Sequence, residues 1–148
     1  MIKVITNSPE ETINLGIKLG EKIKEPLVIL LDGNLAAGKT TFTQGLAKGL
    51  GIKQIVNSPS YTIMKHYSSD DLELFHLDLY RLDGLGEDFD LEEYLYDAVV
   101  VIEWPFQVEE LLPKEHLLIK INKISNESRQ FKFIPKGEKY KEVLKCLD

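Results

Sequence analysis

The chain has 148 residues, 43% of them hydrophobic, and a formal net charge of −6. This suits one domain over residues 1–148 with a real core, and argues against gripping a polyanion over a broad surface of its own. The longest apolar runs, Leu27–Leu31 and Ala98–Ile102, are far too short to cross a bilayer, so no membrane association is expected. Met1-Ile2-Lys3-Val4 leads into a polar stretch, not a secretory core, and the one cysteine, Cys146, has no partner for an intrachain disulfide. A cytoplasmic location is the expectation.

Asn7-Ser8-Pro9-Glu10-Glu11 reads as a helix start, with Ser8 as cap, Pro9 at the first helical position and Glu11 completing a capping box. Ile13, Ile17 and the stretch from Leu19 to Ile23 form its buried stripe, which runs up to Pro26. Leu27–Leu31 is a strand buried on both faces. A second helix is predicted from about Gly38 to Leu50, with Gly51 just past its end. Residues 61–67 and 72–78 flank Ser68-Ser69-Asp70-Asp71 as a hairpin with a four-residue turn. Ala98–Glu103 is a second fully buried strand, ended by Trp104-Pro105, with a short helix predicted at 107–111. Residues 117–121 and 129–134 read as two strands around a turn at Asn126, and 137–147 as a last helix. The order of elements predicts a three-layer α/β/α sandwich on a mixed sheet, parallel in one part and antiparallel at the hairpins.

Charge is unevenly spread: residues 1–113 carry 9 Lys+Arg against 19 Asp+Glu, while residues 114–148 carry 9 against 5. The acidic excess is densest from Asp83 to Asp97 and reads as a solvated face, with a docking surface for a basic partner as the alternative.

Gly33-Asn34-Leu35-Ala36-Ala37-Gly38-Lys39-Thr40 matches G-x-x-x-x-G-K-[ST] in full. From average residue usage, such a match arises by chance in on the order of half a percent of chains this long. A buried strand enters the motif and a helix leaves it, which is the layout a triphosphate needs. Backbone N–H groups of the loop converge on phosphate oxygens, and the helix N-terminus adds positive potential. Gly33 and Gly38 permit close backbone approach. Lys39, expected to face solvent, reaches the β and γ phosphates, and the Thr40 hydroxyl is a hard oxygen ligand for Mg²⁺. ATP with Mg²⁺ is thus the expected ligand pair, held by residues 33–40 together with Thr41.

A further acid must complete the metal site from the end of a neighbouring strand. Glu103, after four aliphatic residues, and Asp78, at the end of the second hairpin arm, are the two candidates. Asn122-Lys123-Ile124-Ser125 resembles the guanine-reading N-K-x-D pattern, but Ser125 cannot make the bidentate contact of the missing Asp. Adenine is therefore favoured.

Four motifs then occur in order: Gly33–Phe42, Ser58-Pro59-Ser60-Tyr61-Thr62, His76-x-Asp78-x-Tyr80-Arg81-Leu82 and Glu103-Trp104-Pro105. Together they resemble the TsaE (YjeE) family, bacterial phosphate-loop ATPases required for threonylcarbamoyladenosine modification of tRNA. The resemblance implies that the protein hydrolyses ATP to keep a partner complex turning over. That complex contains the threonylcarbamoyl transferase subunit and its paralogous partner (TsaD and TsaB type proteins). Strong direct binding to tRNA is not expected.

By the same resemblance, Thr40 and Glu103 are Mg²⁺ ligands, and Asp78 lies close to the metal and is needed for hydrolysis. Ser60 and Thr62 lie on a switch-like loop facing the γ-phosphate. Trp104 packs beside the site, Tyr80 and Arg81 support it or meet the partner, and Ser8 and Arg129 approach the base or ribose. His76 reads as a packed strand histidine, not a base, since phosphoryl transfer needs positioning and charge stabilisation more than a strong base. The chain departs from the family pattern at Asn34 (usually Asp), Ala36 (usually Gly) and Ser60 (usually Thr). A small-molecule kinase on the same loop is the enzymatic rival. It commonly brings several arginines on a lid, whereas this chain has only Arg81 and Arg129. The other alternative is a nucleotide-gated binding module with little hydrolysis.

Overall fold

The computed structural model describes residues 1–34, 37–56, 64–78, 97–103 and 112–147. Among these residues the chain runs β1 (Ile2–Thr6), α1 (Pro9–Lys22), β2 (Val28–Asp32), α2 (Lys39–Gly49), β3 (Met64–Ser68), β4 (Glu73–Asp78), β5 (Val99–Glu103), β6 (His116–Lys123), β7 (Arg129–Lys136) and α3 (Glu138–Val143). A 3₁₀ turn, Leu144–Leu147, follows α3. The last helix expected at 137–147 is thus split in two.

The seven strands form one sheet in the order β1-β7-β6-β2-β5-β4-β3. The four central strands are parallel: β2 pairs with β6 on one side and β5 on the other, and β5 pairs with β4. Both margins are antiparallel, through the β3–β4 hairpin and through β6–β7–β1. The α/β class and the mixed sheet are therefore as expected.

The central strands are aliphatic throughout because both faces are covered. Ile29 and Leu31 of β2 and Val99 and Val101 of β5 join the cluster that includes Leu19 of α1 and Phe42 and Leu46 of α2. Their alternating neighbours Val28, Leu30, Val100 and Ile102 join Leu77 on the opposite face. All three described helices contribute to the first face. The second helical layer, the short helix predicted at 107–111 and most of the acidic segment 83–97 fall outside the described residues.

Local chemistry sets the ends of α1. Ser8 has an extended backbone and its hydroxyl accepts from the Glu11 N–H at 3.2 Å, while the Asn7 N–H donates to Glu11 Oε1 at 3.2 Å. The first bond is the cap half of the expected capping box, while the return bond from Glu11 reaches the Asn7 N–H, one residue before the cap. The seam between α1 and α2 depends on glycines: a Cβ at Gly45 would lie 2.1 Å from the Ile13 carbonyl oxygen, and one at Gly20 would lie 2.4 Å from that of Leu46. The backbones approach so closely that no side chain fits between them.

One strand, β1, has no counterpart in the sequence reading. Ile2, Val4 and Thr6 turn inward while Lys3 and Ile5 are exposed, and the strand exists by pairing with β7, from Ile2 opposite Phe133 to Thr6 opposite Arg129. Ile2, Val4, Ile5 and Thr6 are all β-branched, so the strand has a local signal, while its pairing with the far end of the chain does not.

Candidate functional site

Because β1, β2, β4, β5 and β6 all run in the same sense, their C-terminal ends meet at one edge of the sheet. In parallel α/β sheets, ligands bind beyond this edge, beside strands whose connections part in opposite directions. The 33–40 segment leaves β2 there, between β5 and β6.

The geometry of that segment requires its glycines. Gly38 caps α2 with φ +105°, a left-handed conformation that side chains rarely adopt. A Cβ on Gly33 would come within 2.8 Å of the Ile121 carbonyl oxygen on β6. Gly33 thus lets the loop lie against the neighbouring strand. Ala37 is buried and its N–H donates to the Asn34 carbonyl at 3.0 Å, while Asn34 is exposed. Thr40 and Thr41 are half-buried in the first turn of α2. Leu35 and Ala36 lie outside the described residues.

Lys39 corrects an expectation. It is 5% exposed, not solvent-facing, with Nζ donating to the Gly33 carbonyl at 2.8 Å and standing 3.9 Å from Glu103 Oε1. Burial lowers its pKa below the ordinary 10.5, and Glu103, then Asp78 and Asp32, pull it back upward. The Gly33 carbonyl and the Glu103 carboxylate hold the side chain inward, with Asp78 adding to the negative potential.

Those carboxylates follow from register. Asp78 lies opposite Glu103 and Leu31 also lies opposite Glu103, so β4, β5 and β2 end level. Alternation along β5 puts Glu103 on the face of Val99 and Val101, which is the helical face. Alternation along β4 puts His76 and Asp78 on that face with Leu74. Glu103 is 3% exposed. Its Oε1 turns to Lys39, and its Oε2 is hydrogen-bonded to Nε2 of the fully buried His76.

The sequence placed Glu103 and Asp78 at strand ends facing the loop, and the structure brings both there. It did not find the His76–Glu103 bond or Asp32. The available signal was period two: in His76-x-Asp78 both residues share a face, so a site that includes Asp78 includes the histidine's side of the strand.

On the other flank, the β6–β7 turn brings Arg129 over the loop. Its Nη1 donates to the carbonyls of Ser125 at 2.8 Å, Ser128 at 3.0 Å and Asn126 at 3.3 Å. Its Nε would lie 3.7 Å from a Cβ on Gly38. A crevice beside it is lined by Pro9, Thr12, Gly38, Thr41, Glu127 and Arg129. Ser8 itself is engaged as the helix cap, while its neighbours Pro9 and Thr12 reach the crevice. Ser60, Thr62, Tyr80, Arg81 and Trp104 lie outside the described residues.

Chemically, this edge presents a glycine-bounded loop leading into a helix N-terminus, a desolvated ammonium, and hard carboxylate oxygens in one layer. The cationic half suits phosphate, and the oxygen half suits a hard cation. Among the described residues no three His, Cys, Asp or Glu side chains converge closely enough to hold a metal unaided. Mg²⁺ keeps waters and takes phosphate oxygens as ligands, so one or two carboxylates beside a phosphate site are enough to hold it. No helix among the described residues is long and apolar enough to cross a membrane.

Comparison with known proteins agrees with this layout. The family described as "Threonylcarbamoyl adenosine biosynthesis protein TsaE" matches residues 6–131. The chain is 42% identical over 140 residues to the tRNA threonylcarbamoyladenosine biosynthesis protein TsaE of Bacillus subtilis, covering 94% of this chain and 89% of that one. It is 36% identical over 132 residues to the protein of the same name from Treponema pallidum, covering 87% and 97%. The crystal structure of Bacillus subtilis YdiB superposes with a TM-score of 0.85 at 37% identity, covering 97% of this chain and 91% of that one. On these matches, which span the loop, both acidic strands and Arg129, the chain belongs to the TsaE family.

Proposed function

We propose that this protein binds ATP with Mg²⁺ at the C-terminal edge of its sheet and hydrolyses it in support of threonylcarbamoyladenosine formation on tRNA. The observation that carries the reading is the Lys39 ammonium buried between the loop carbonyl of Gly33 and the Glu103 carboxylate. A desolvated lysine at a helix N-terminus is poised for phosphate oxygens, and a carboxylate beside it is poised for the accompanying cation.

In this reading residues 33–41 cradle the triphosphate, with Lys39 at the β and γ phosphates. Thr40 and Glu103 hold Mg²⁺, with Asp78 close by. Bound Mg²⁺ supplies charge neutralisation across the phosphates during transfer to water. The chain's own contribution is positioning: the loop fixes the phosphates, and Glu103 fixes one side of the metal's shell. The family pattern assigns Ser60 and Thr62 to the γ-phosphate and Trp104 to the surroundings of the site, and all three lie outside the described residues. Arg129 and the start of α1 near Ser8 approach the base or ribose from the β6–β7 flank, with adenine as the base.

The partners proposed are the transferase subunit and its paralogue, of TsaD and TsaB type. A net charge of −6 repels bare tRNA at long range. The test is ATP turnover by the protein alone and with those two partners, together with capture of the partners in ATP, ADP and no nucleotide. Turnover that rises with the partners, and capture that depends on the nucleotide, is the expected result. No turnover under any condition would leave a binding module in place of an ATPase. Tight, salt-sensitive binding to bare tRNA would overturn the electrostatic argument.

A further inference from the structure

We propose that His76 is a positioning residue: it holds the Glu103 carboxylate by one oxygen so that the other stays turned toward the phosphate loop and its cation. The proposal rests on reading this edge as a site for Mg²⁺ and a nucleoside triphosphate.

His76 stands fully buried in the middle of β4, on the helical face, one strand away from Glu103. Its Nε2 meets Glu103 Oε2, while Glu103 Oε1 points toward Lys39. The last torsion of a glutamate is broad and roughly two-fold, so packing alone does not choose which oxygen faces the loop. A hydrogen bond to one oxygen does.

The alternative is that His76 simply fills space. A leucine would fill a fully buried strand position without the cost of desolvating an imidazole. The ring's other nitrogen, Nδ1, is buried and has no hydrogen-bond partner among the described residues. Among the described residues, Glu103 is therefore the one polar group that accounts for a histidine here. With the ring proton on Nε2, His76 donates to Oε2 and leaves a lone pair at Nδ1. A ring N–H on Oε2 fixes that oxygen while Oε1 stays turned toward the loop.

A second His–Glu pair, His66 with Glu73, lies on the same hairpin, with side chains 42% and 52% exposed at 3.2 Å. Water there competes with the contact, and such a pair orients little. Burial separates a positioning contact from an incidental one.

The test uses the full chain with a non-hydrolysable ATP analogue. Mn²⁺ affinity is read by electron paramagnetic resonance, and analogue affinity without metal by calorimetry. His76→Leu should leave metal-free analogue binding unchanged and weaken Mn²⁺ binding about 10- to 100-fold, the usual scale for losing a partner that orients a ligand. His76→Gln, whose amide nitrogen falls near the position of Nε2, should restore most of it. His76→Asn, too short to reach Oε2, should not, and this polar pair carries the test if the leucine variant fails to fold. Equal Mn²⁺ affinity in Gln and Asn variants, or wild-type affinity in His76→Leu, would overturn the role of His76. Failure of the unaltered protein to bind the metal–nucleotide pair would instead overturn the reading of the site.

Discussion

The two ends of the sheet are built on opposite principles. At the N-terminal end of the parallel strands lies a cleft of about 390 Å³, lined by Pro26, Val28, Pro113, Glu115, Lys139 and Tyr140. Two of its polar side chains are engaged with the backbone. The Val28 N–H donates to the Tyr140 hydroxyl at 2.9 Å, and Lys139 Nζ donates to the Pro26 carbonyl at 2.9 Å. At the C-terminal end the crevice under Arg129 is far smaller, about 40 Å³, yet charged groups are buried there against one another. The proposed site therefore rests on desolvated charge at strand ends and not on hollow volume, because a fold keeps such groups out of water only where geometry or function compensates.

The largest effect expected from breaking this contrast is at Glu103. Glu103→Gln keeps an acceptor for His76 but removes the charge. Turnover should fall about 100-fold or more, the scale for removing one group that stabilises developing charge, while metal-free nucleotide binding persists. A magnesium titration of turnover checks it, and an unchanged profile would move the acidic role to Asp78.

At the opposite end, Tyr140→Phe should act on stability alone. It strands the buried Val28 N–H, a loss of roughly 1–3 kcal/mol, visible as a lower denaturation midpoint with nucleotide affinity unaltered. An effect on affinity would mean that the two ends are coupled.

A smaller effect concerns alkaline pH. Burial raises the Tyr140 pKa above its ordinary 10.0, opposed by the Val28 N–H and reinforced by Glu115 and Glu25. The folded state thus favours the protonated phenol. That contribution is complete below pH 10 and is lost as pH rises from there through the raised value. Denaturation midpoints across this window should fall less steeply for Tyr140→Phe than for the unaltered protein. Parallel curves would mean that the phenol titrates as it does in the unfolded chain.

What was legible in the sequence was what is local. The loop motif, the buried strands on either side of it, the Ser8 cap and the turn around Asn126 depend on neighbours within a few residues. The burial of Lys39 was not legible, because it depends on carboxylates that arrive from β4 and β5 in register. The His76–Glu103 bond spans 27 residues and appears only once Asp78 is set opposite Glu103. β1 was legible as β-branched residues within 2–6, but its pairing was not, its partner being the far end of the chain. The close seam between α1 and α2 did have a written signal, Gly16-x-x-x-Gly20 facing Gly45-x-x-x-Gly49, which brings small residues to one helix face every turn.

The central claim is that phosphate binding occurs at the charged end through Lys39, and calorimetric titration of ATP with Mg²⁺ into the unaltered protein and Lys39→Met tests it most directly. Methionine keeps the buried stem and removes the ammonium. The account predicts saturable binding to the unaltered protein and a loss of roughly 10- to 100-fold in the variant, the worth of a charge-assisted hydrogen bond, with the fold retained by circular dichroism. Equal affinity in the two proteins would contradict it.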